Sequence, residues 1–173
     1  MKIRRRTAEK DEKQKETQVE KFRKNHAEIT LRSATAEDLE EIETLERECF
    51  TDPWSLRSLQ ESLAEKNTGC IVAVRSGNIL GYVLYGAVLD ECEIYRIAVA
   101  KSGRRQGIGA LLLEKLEEIS KDHQIMRILL DVREKNEEAR DFYASMGFSV
   151  DGVRKNFYQN PGDHAVLMSK VLK

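Results

Sequence analysis

The sequence predicts one mixed α/β domain, of the α+β kind, preceded by a charged extension. Three observations carry that prediction. From Ile29 onward the apolar pattern switches repeatedly between strand-like alternation and helical spacing. The segments run one strand, two helices, three strands, helix, strand, helix and two strands, with no internal repeat. A glycine-bearing loop, Arg104 to Gly109, joins a strand to a long amphipathic helix.

Each element has its own signal. Ile29-Thr30-Leu31-Arg32 alternates as a strand. Thr35-Ala36-Glu37-Asp38 has the form of a helix cap with acids in the first turn, and Leu39, Ile42, Leu45 and Cys49 follow at helical spacing. Asp52-Pro53-Trp54-Ser55 breaks that helix, and a second one runs from Ser55 to about Glu65. Cys70 to Arg75 is a strand, Ser76-Gly77-Asn78 a turn, and Ile79 to Leu89 the return strand of a hairpin. Glu91 to Val99 is the next strand. Arg105 to Lys121 reads as a helix with Ile108, Leu111, Leu112, Leu116 and Ile119 on its apolar face. Met126 to Val132 is a buried strand, and Asn136 to Met146 a helix ended by Gly147. Phe148 to Val153 and His164 to Val171 form a closing strand pair.

Composition bounds the rest. A chain of 173 residues, 40% hydrophobic and 34% charged, has enough for one core and a wet surface. No stretch approaches the roughly 18 consecutive apolar residues that cross a bilayer, and the charged N-terminus lacks the apolar segment of a secretory signal, so a cytoplasmic protein is expected. Cys49, Cys70 and Cys92 form no CxxC pair and are read as reduced thiols rather than a disulfide or zinc set. His123 and His164 belong to no neighbouring His/Cys/Asp cluster, and no metal is expected. Residues 1–28 carry ten Lys/Arg and six Asp/Glu, a net of +4, while residues 29–173 carry a net of −5. With few apolar residues, 1–28 is expected to be disordered or loosely helical, and 29–173 to be the domain. Lys2 and Arg4-Arg5-Arg6 are a conceivable RNA contact, but a solvated tail is the simpler reading, so no direct nucleic-acid or membrane binding is expected. An acidic body with a basic loop suits a cationic partner.

The loop points to a phosphate. Unpaired N–H groups gather at a helix N-terminus, and the macrodipole favours negative charge there. Gly107 and Gly109 leave the main chain bare, and Arg104 and Arg105 add cationic donors. The Lys-Ser/Thr of a Walker loop is absent, and so is the dinucleotide pattern GxGxxG. Arg104 to Gly109 instead resembles the R/Q-x-x-G-x-G/A signature of the GNAT N-acetyltransferase family. Asn136, Ala139, Tyr143 and Gly147-Phe148 resemble that family's N-x-x-A-x-x-x-Y-x-x-x-G-F segment, and residues 29–171 follow its element order. The resemblance implies a twisted, mostly antiparallel mixed sheet of about seven strands flanked by about four helices, with strands four and five splayed.

Within the family, the ribosomal-protein-alanine acetyltransferase branch is the more similar. Asp52-Pro53-Trp54-Ser55, Ile97-Ala98-Val99, Arg105 to Gly109, Asp131-Val132-Arg133 to Asn136, and Arg154-Lys155-Asn156-Phe157-Tyr158 to Met168 all resemble it. The branch implies acetyl-CoA as co-substrate and, as acceptor, the N-terminal alanine of the small-subunit ribosomal protein numbered eighteen. It implies direct transfer in a ternary complex by a monomer or weak dimer.

The same resemblance implies the site. Backbone groups of Ile97, Ala98 and Val99 would bind the cofactor arm, an N–H near Val99 would face the thioester oxygen, and Arg104, Arg105, Gln106, Gly107, Ile108, Gly109 and Ala110 would hold the pyrophosphate. Asn136 would bond the cofactor arm, and Tyr143, seven residues on and so on the same helix side, would protonate the departing thiolate. The base has two candidates. The branch has L-E-V-R where this chain has Leu130-Asp131-Val132-Arg133, one methylene shorter. Glu93 lies four residues before Ile97, where the histone-acetylating branch places its base. A water chain with no essential base is a third route. Trp54 and Tyr158 are expected to shape the acceptor pocket, and His164 stands where the branch more often has an acid. Two rivals follow from the Asp131 and His164 departures and the basic tail: transfer to lysine side chains or small amines, and a non-catalytic acetyl-CoA-binding module docked on the ribosome.

Overall fold

A computed structural model describes residues 29–173; the charged extension expected over 1–28 lies outside the described residues. The chain runs β1 (Thr30–Ser33), α1 (Leu39–Cys49), α2 (Leu56–Ala64), β2 (Thr68–Arg75), β3 (Asn78–Val88), β4 (Glu91–Val99), α3 (Ile108–Asp122), β5 (Arg127–Arg133), α4 (Glu137–Ser145), β6 (Ser149–Gln159) and β7 (Gly162–Val171), with short 3-10 turns before α1 and after β4. The seven strands form one sheet in the order β1-β2-β3-β4-β5-β7-β6. Every neighbouring pair is antiparallel except β4 and β5, which are parallel.

Alternation in the central strands explains the three layers. Ile71, Ala73, Val83, Cys92, Ile94, Leu130 and Val132 face α3 and α4, packing on Ile108, Leu112, Leu116 and Tyr143. Cys70, Val72, Tyr82, Leu84 and Ala98 face the other way, onto Leu39, Ile42 and Leu45 of α1 and Leu59 of α2. Local chemistry fixes the helix ends. Thr35 and Asp38 form a capping box, with Arg32 in a two-pronged ion pair to Asp38 at 2.7 and 2.8 Å. Ser55 caps α2 through Ser58 N–H, Asn136 caps α4 through Ala139 N–H, and Gly147 leaves α4 with φ +89°.

Two expectations shift. The long helix starts at Ile108 rather than Arg105, because Arg105 (φ +57°) and Gly107 (φ +76°) are left-handed and cannot continue a right-handed helix. Starting there sets its phase, so Leu113 is buried and Leu111 only half-buried. The closing hairpin is longer than expected, since β6 continues to Gln159. Its side chains are exposed almost throughout, so it carries no alternation to read.

One irregularity positions the site. Leu84 pairs with Arg96 and Tyr85 with Ile94, which leaves Tyr95 unmatched as a β-bulge. At that residue β4 parts from β5. The parallel pairing runs from Glu91↔Arg127 to Ile94↔Leu130 and stops, although β4 continues to Val99 and β5 to Arg133. The sheet is split from Tyr95 onward, as the family resemblance implies.

Candidate active site

The split opens into a cleft of about 570 Å³, lined mainly from α3 and α4 and closed by Cys49 and Phe50 at the end of α1. Of the expected cofactor-binding residues, Ile97, Ala98, Val99, Arg104, Arg105, Gly107, Ile108, Gly109, Ala110 and Asn136 all line it, together with Tyr143. Gln106 does not. Its amide donates to the Ser102 carbonyl at 2.6 Å and accepts from Arg75 at 2.8 Å, so it ties the loop to the β2–β3 hairpin.

Main-chain direction gives the cleft its chemistry. Ala100 N–H donates to Leu80 on β3, so its neighbour Val99 points to the free edge. The Val99 carbonyl accepts there from Arg104 Nε at 3.3 Å and Cys49 Sγ at 3.6 Å. The N–H and carbonyl of one strand residue share a side, so Val99 N–H also faces the cleft. At the start of α3, Leu111 N–H is the first to find a helical acceptor, Gly107, which leaves Ile108, Gly109 and Ala110 with unpaired donors at the positive end of the dipole. Those donors and the exposed Arg104 and Arg105 fit a pyrophosphate, and the free β4 edge fits an extended amide-bearing arm. Gly109 has a further reason to be glycine: a Cβ there would sit 3.1 Å from the Phe142 ring, so its bareness lets α4 close on α3.

α4 brings two more groups to the cleft. Asn136 spends its side-chain oxygen on the Ala139 N–H at 3.2 Å, which leaves its NH₂ as a donor. Tyr143 is buried between Phe142 and Phe148, with ring centroids 5.4 and 5.8 Å away. Burial, with a smaller push from Tyr158, holds its phenol above the usual tyrosine range, so it carries its proton at neutral pH.

The two acids expected as bases do not line the cleft. Asp131 is the first β5 residue beyond the last β4–β5 pair, and its neighbours Leu130 and Val132 face α3. Its side chain therefore projects on the α1 side of the sheet, at the split, 3.5 Å from Arg154. Glu93 lies on the same face but inside the zipped stretch, paired with Leu129, and is exposed. Tyr158 is half-buried near Asp131; burial, then the Asp131 charge, raises its phenol pKa. Arg133 stacks 4.1 Å over the Tyr158 ring and donates to the Pro161 carbonyl at 2.8 Å. Thr51 Oγ1 reaches the Asn160 carbonyl at 3.4 Å, so the α1–α2 loop meets the β6–β7 turn across the mouth.

Sequence reading missed several residues here. Cys49, Phe50, Gly103, Glu138, Ala139 and Phe142 also line the cleft, and the buried Glu46 and mostly buried Arg96 lie behind its mouth. Glu46 left a signal: it follows Ile42 by one turn, an acid on the buried stripe of α1. His164 Nδ1 accepts from Asn156 N–H at 2.9 Å, so it serves the β6–β7 hairpin. Among the described residues no three His, Cys, Asp or Glu side chains are grouped to hold a metal.

A sequence profile of the Acetyltransferase (GNAT) family matches residues 39–148. The ribosomal protein bS18-alanine N-acetyltransferase of Haemophilus influenzae is 31% identical over 135 residues, 76% of this chain and 91% of that protein. The crystal structure of the ribosomal-protein-S18-alanine N-acetyltransferase from Escherichia coli superposes with a TM-score of 0.78 at 26% identity, covering 84% of this chain and 94% of that one. Arabidopsis thaliana NAA60, solved in complex with acetyl-CoA, shares the fold with a TM-score of 0.75 at 19% identity, covering 83% and 98%.

Proposed function

The chain belongs to the GNAT family of acetyltransferases and is an acyltransferase, and we propose that it transfers acetyl from acetyl-CoA to the N-terminal amine of a protein that begins with alanine. The observation that carries this reading is the split itself. It is one opening through the sheet, with phosphate and arm-binding groups on the α3 side and Asp131 and Tyr158 on the α1 side. Two substrates then meet in the gap from opposite faces, and the acetyl group passes directly between them. The relatives named for bS18 support a ribosomal protein as acceptor.

Amide formation from a thioester needs three things: a neutral amine, a stabilised oxygen and a protonated sulfur. Acetyl-CoA supplies the activated acetyl group, and this chain's residues supply the rest. Ile108, Gly109 and Ala110 N–H groups with Arg104 and Arg105 hold the pyrophosphate, and Ile97 to Val99 with Asn136 hold the arm. Val99 N–H donates to the carbonyl oxygen as charge builds on it. Asp131 takes the amine proton, directly or through one water, because it stands at the split. Glu93 lies two residues deeper in the zipped region and is the weaker candidate. Tyr143 gives its proton to the sulfur. Burial weakens this phenol as an acid, but the same burial penalises the departing thiolate, so the two stay matched.

The test pairs two peptides with acetyl-CoA and reads the products by mass spectrometry. One begins with alanine and lacks lysine; the other has a blocked N-terminus and internal lysines. Acetylation of the first alone is expected. Modification of the second alone would move the function to side-chain amines, and cofactor binding with no turnover would make the chain a binding module.

A further inference from the structure

Glu46 is the most enclosed acid of the described domain and takes no part in the chemistry above. It is fully buried on α1. Its carboxylate accepts from the Tyr82 hydroxyl of β3 and, at 2.8 Å, from the main-chain N–H of Trp54. Arg96 Nε lies 3.8 Å away. Arg96 is itself nearly enclosed, with its guanidinium 4.5 Å from the Phe50 ring centroid and 5.3 Å from that of Trp54. It donates to the Asp52 carbonyl at 2.8 Å and stands 3.8 Å from the Asp52 carboxylate.

Together these contacts grip one segment. Between the end of α1 and the Ser55 cap of α2, residues 50–54 form no helix or strand. Glu46 holds Trp54 from inside and Arg96 holds Phe50, Asp52 and Trp54 from the sheet. Arg96 is also the first residue after the Tyr95 bulge, where β4 leaves β5. The loop is therefore registered against the split and not merely packed on α1. It forms one wall of the mouth on the α1 side; Tyr158, Arg133 and Asp131 form the other.

We propose that Glu46 and Arg96 are positioning residues, a buried clasp that sets the 50–54 loop and so aligns the acceptor amine with the split. The proposal rests on the N-terminal amine reading above. A buried guanidinium without its carboxylate is unstable where it stands, and a loop released from both drifts from the bulge. A displacement near 1 Å at a reacting centre costs up to about 10²-fold, so the clasp is worth measuring in rate.

Trp54 is the chain's only tryptophan, so its fluorescence reports this loop alone. In the full-length protein, Glu46→Gln keeps the shape and drops the charge, Arg96→Lys keeps the charge and drops the fork, and Tyr82→Phe removes one donor. In Glu46→Gln and Arg96→Lys, the kcat/KM of the alanine peptide is expected to fall at least ~10-fold, with the KM of acetyl-CoA within ~2-fold. Acrylamide quenching of Trp54 should rise in step, and Tyr82→Phe should fall between them and the parent. If Glu46→Gln does not fold, Arg96→Lys and Tyr82→Phe decide. An unchanged peptide kcat/KM, or an equal loss of affinity for acetyl-CoA, overturns the proposal. If the parent protein leaves the alanine peptide unmodified, the N-terminal reading falls instead. The clasp is then judged on Trp54, and unchanged quenching in Arg96→Lys overturns it.

Discussion

On the α3 side of the split the working groups are mostly main-chain N–H groups from neighbouring residues, Ile97, Val99 and Ile108 to Ala110. On the α1 side they are side chains brought from separate segments: Glu46 from α1, Asp52 from a loop, Arg96 from β4, Asp131 from β5 and Tyr158 from β6. The first kind of site is sensitive to backbone shape and indifferent to many side chains. The second is the reverse. One side can therefore be damaged by a glycine replacement that leaves charge untouched, the other by an isosteric change that leaves the backbone untouched.

Five substitutions press on that contrast. Tyr143→Phe should lower kcat by roughly 10²–10⁴-fold while the KM of acetyl-CoA stays put, in steady-state assays with the alanine peptide. An unaffected kcat would leave the α3 side a binding surface only. Asp131→Asn should cost about 10²-fold or somewhat less in kcat/KM, with Glu93→Gln near the parent value; the opposite ranking would move the base into the zipped stretch. Gly107→Val forces a branched residue into a left-handed conformation, a strain of about 1–2 kcal/mol that the free loop relieves by relaxing and that binding must restore, so acetyl-CoA should bind roughly 5–30-fold more weakly by calorimetry. The smallest effect lies far from the split. Arg32 and the Thr35 donors depress the Asp38 carboxyl to about 2 from an ordinary 3.8. A depressed acid stabilises the fold above its unfolded pKa, and that contribution is lost as pH falls from about 4 through about 2. Arg32 is open to solvent, so screening reduces it to about 1 kcal/mol. Asp38→Asn should flatten that part of the acid limb in a denaturation series while leaving acetyl transfer intact.

Legibility in the sequence followed the same division. The bounds of β4 are legible to the residue, because Glu91 to Ile94 alternates cleanly and Val99 stands just before a loop with two glycines. The cleft residues were readable because main-chain sites are encoded locally, by Gly107, Gly109 and the helix they open. Gln106 escaped because nothing in its own neighbourhood announces Arg75, thirty-one positions earlier. Glu46 and Arg96 escaped for a related reason. Arg96 looks like an ordinary surface charge, and Glu46 shows only its place on the buried stripe of α1, until α1 and β4 are brought together and each gains the other as its partner. The length of β6 was hidden because a strand exposed on both faces has no period to display.

The parting of β4 from β5 has a mechanical side. Four strands, β1 to β4, and three, β5 to β7, share only the four register pairs from Glu91 to Ile94. The domain is thus a pair of stiff plates stitched along a short seam. A ligand bonded to the free inner edge of β4 would act as a second seam, so saturating acetyl-CoA should slow hydrogen exchange in both plates, beyond the residues it touches.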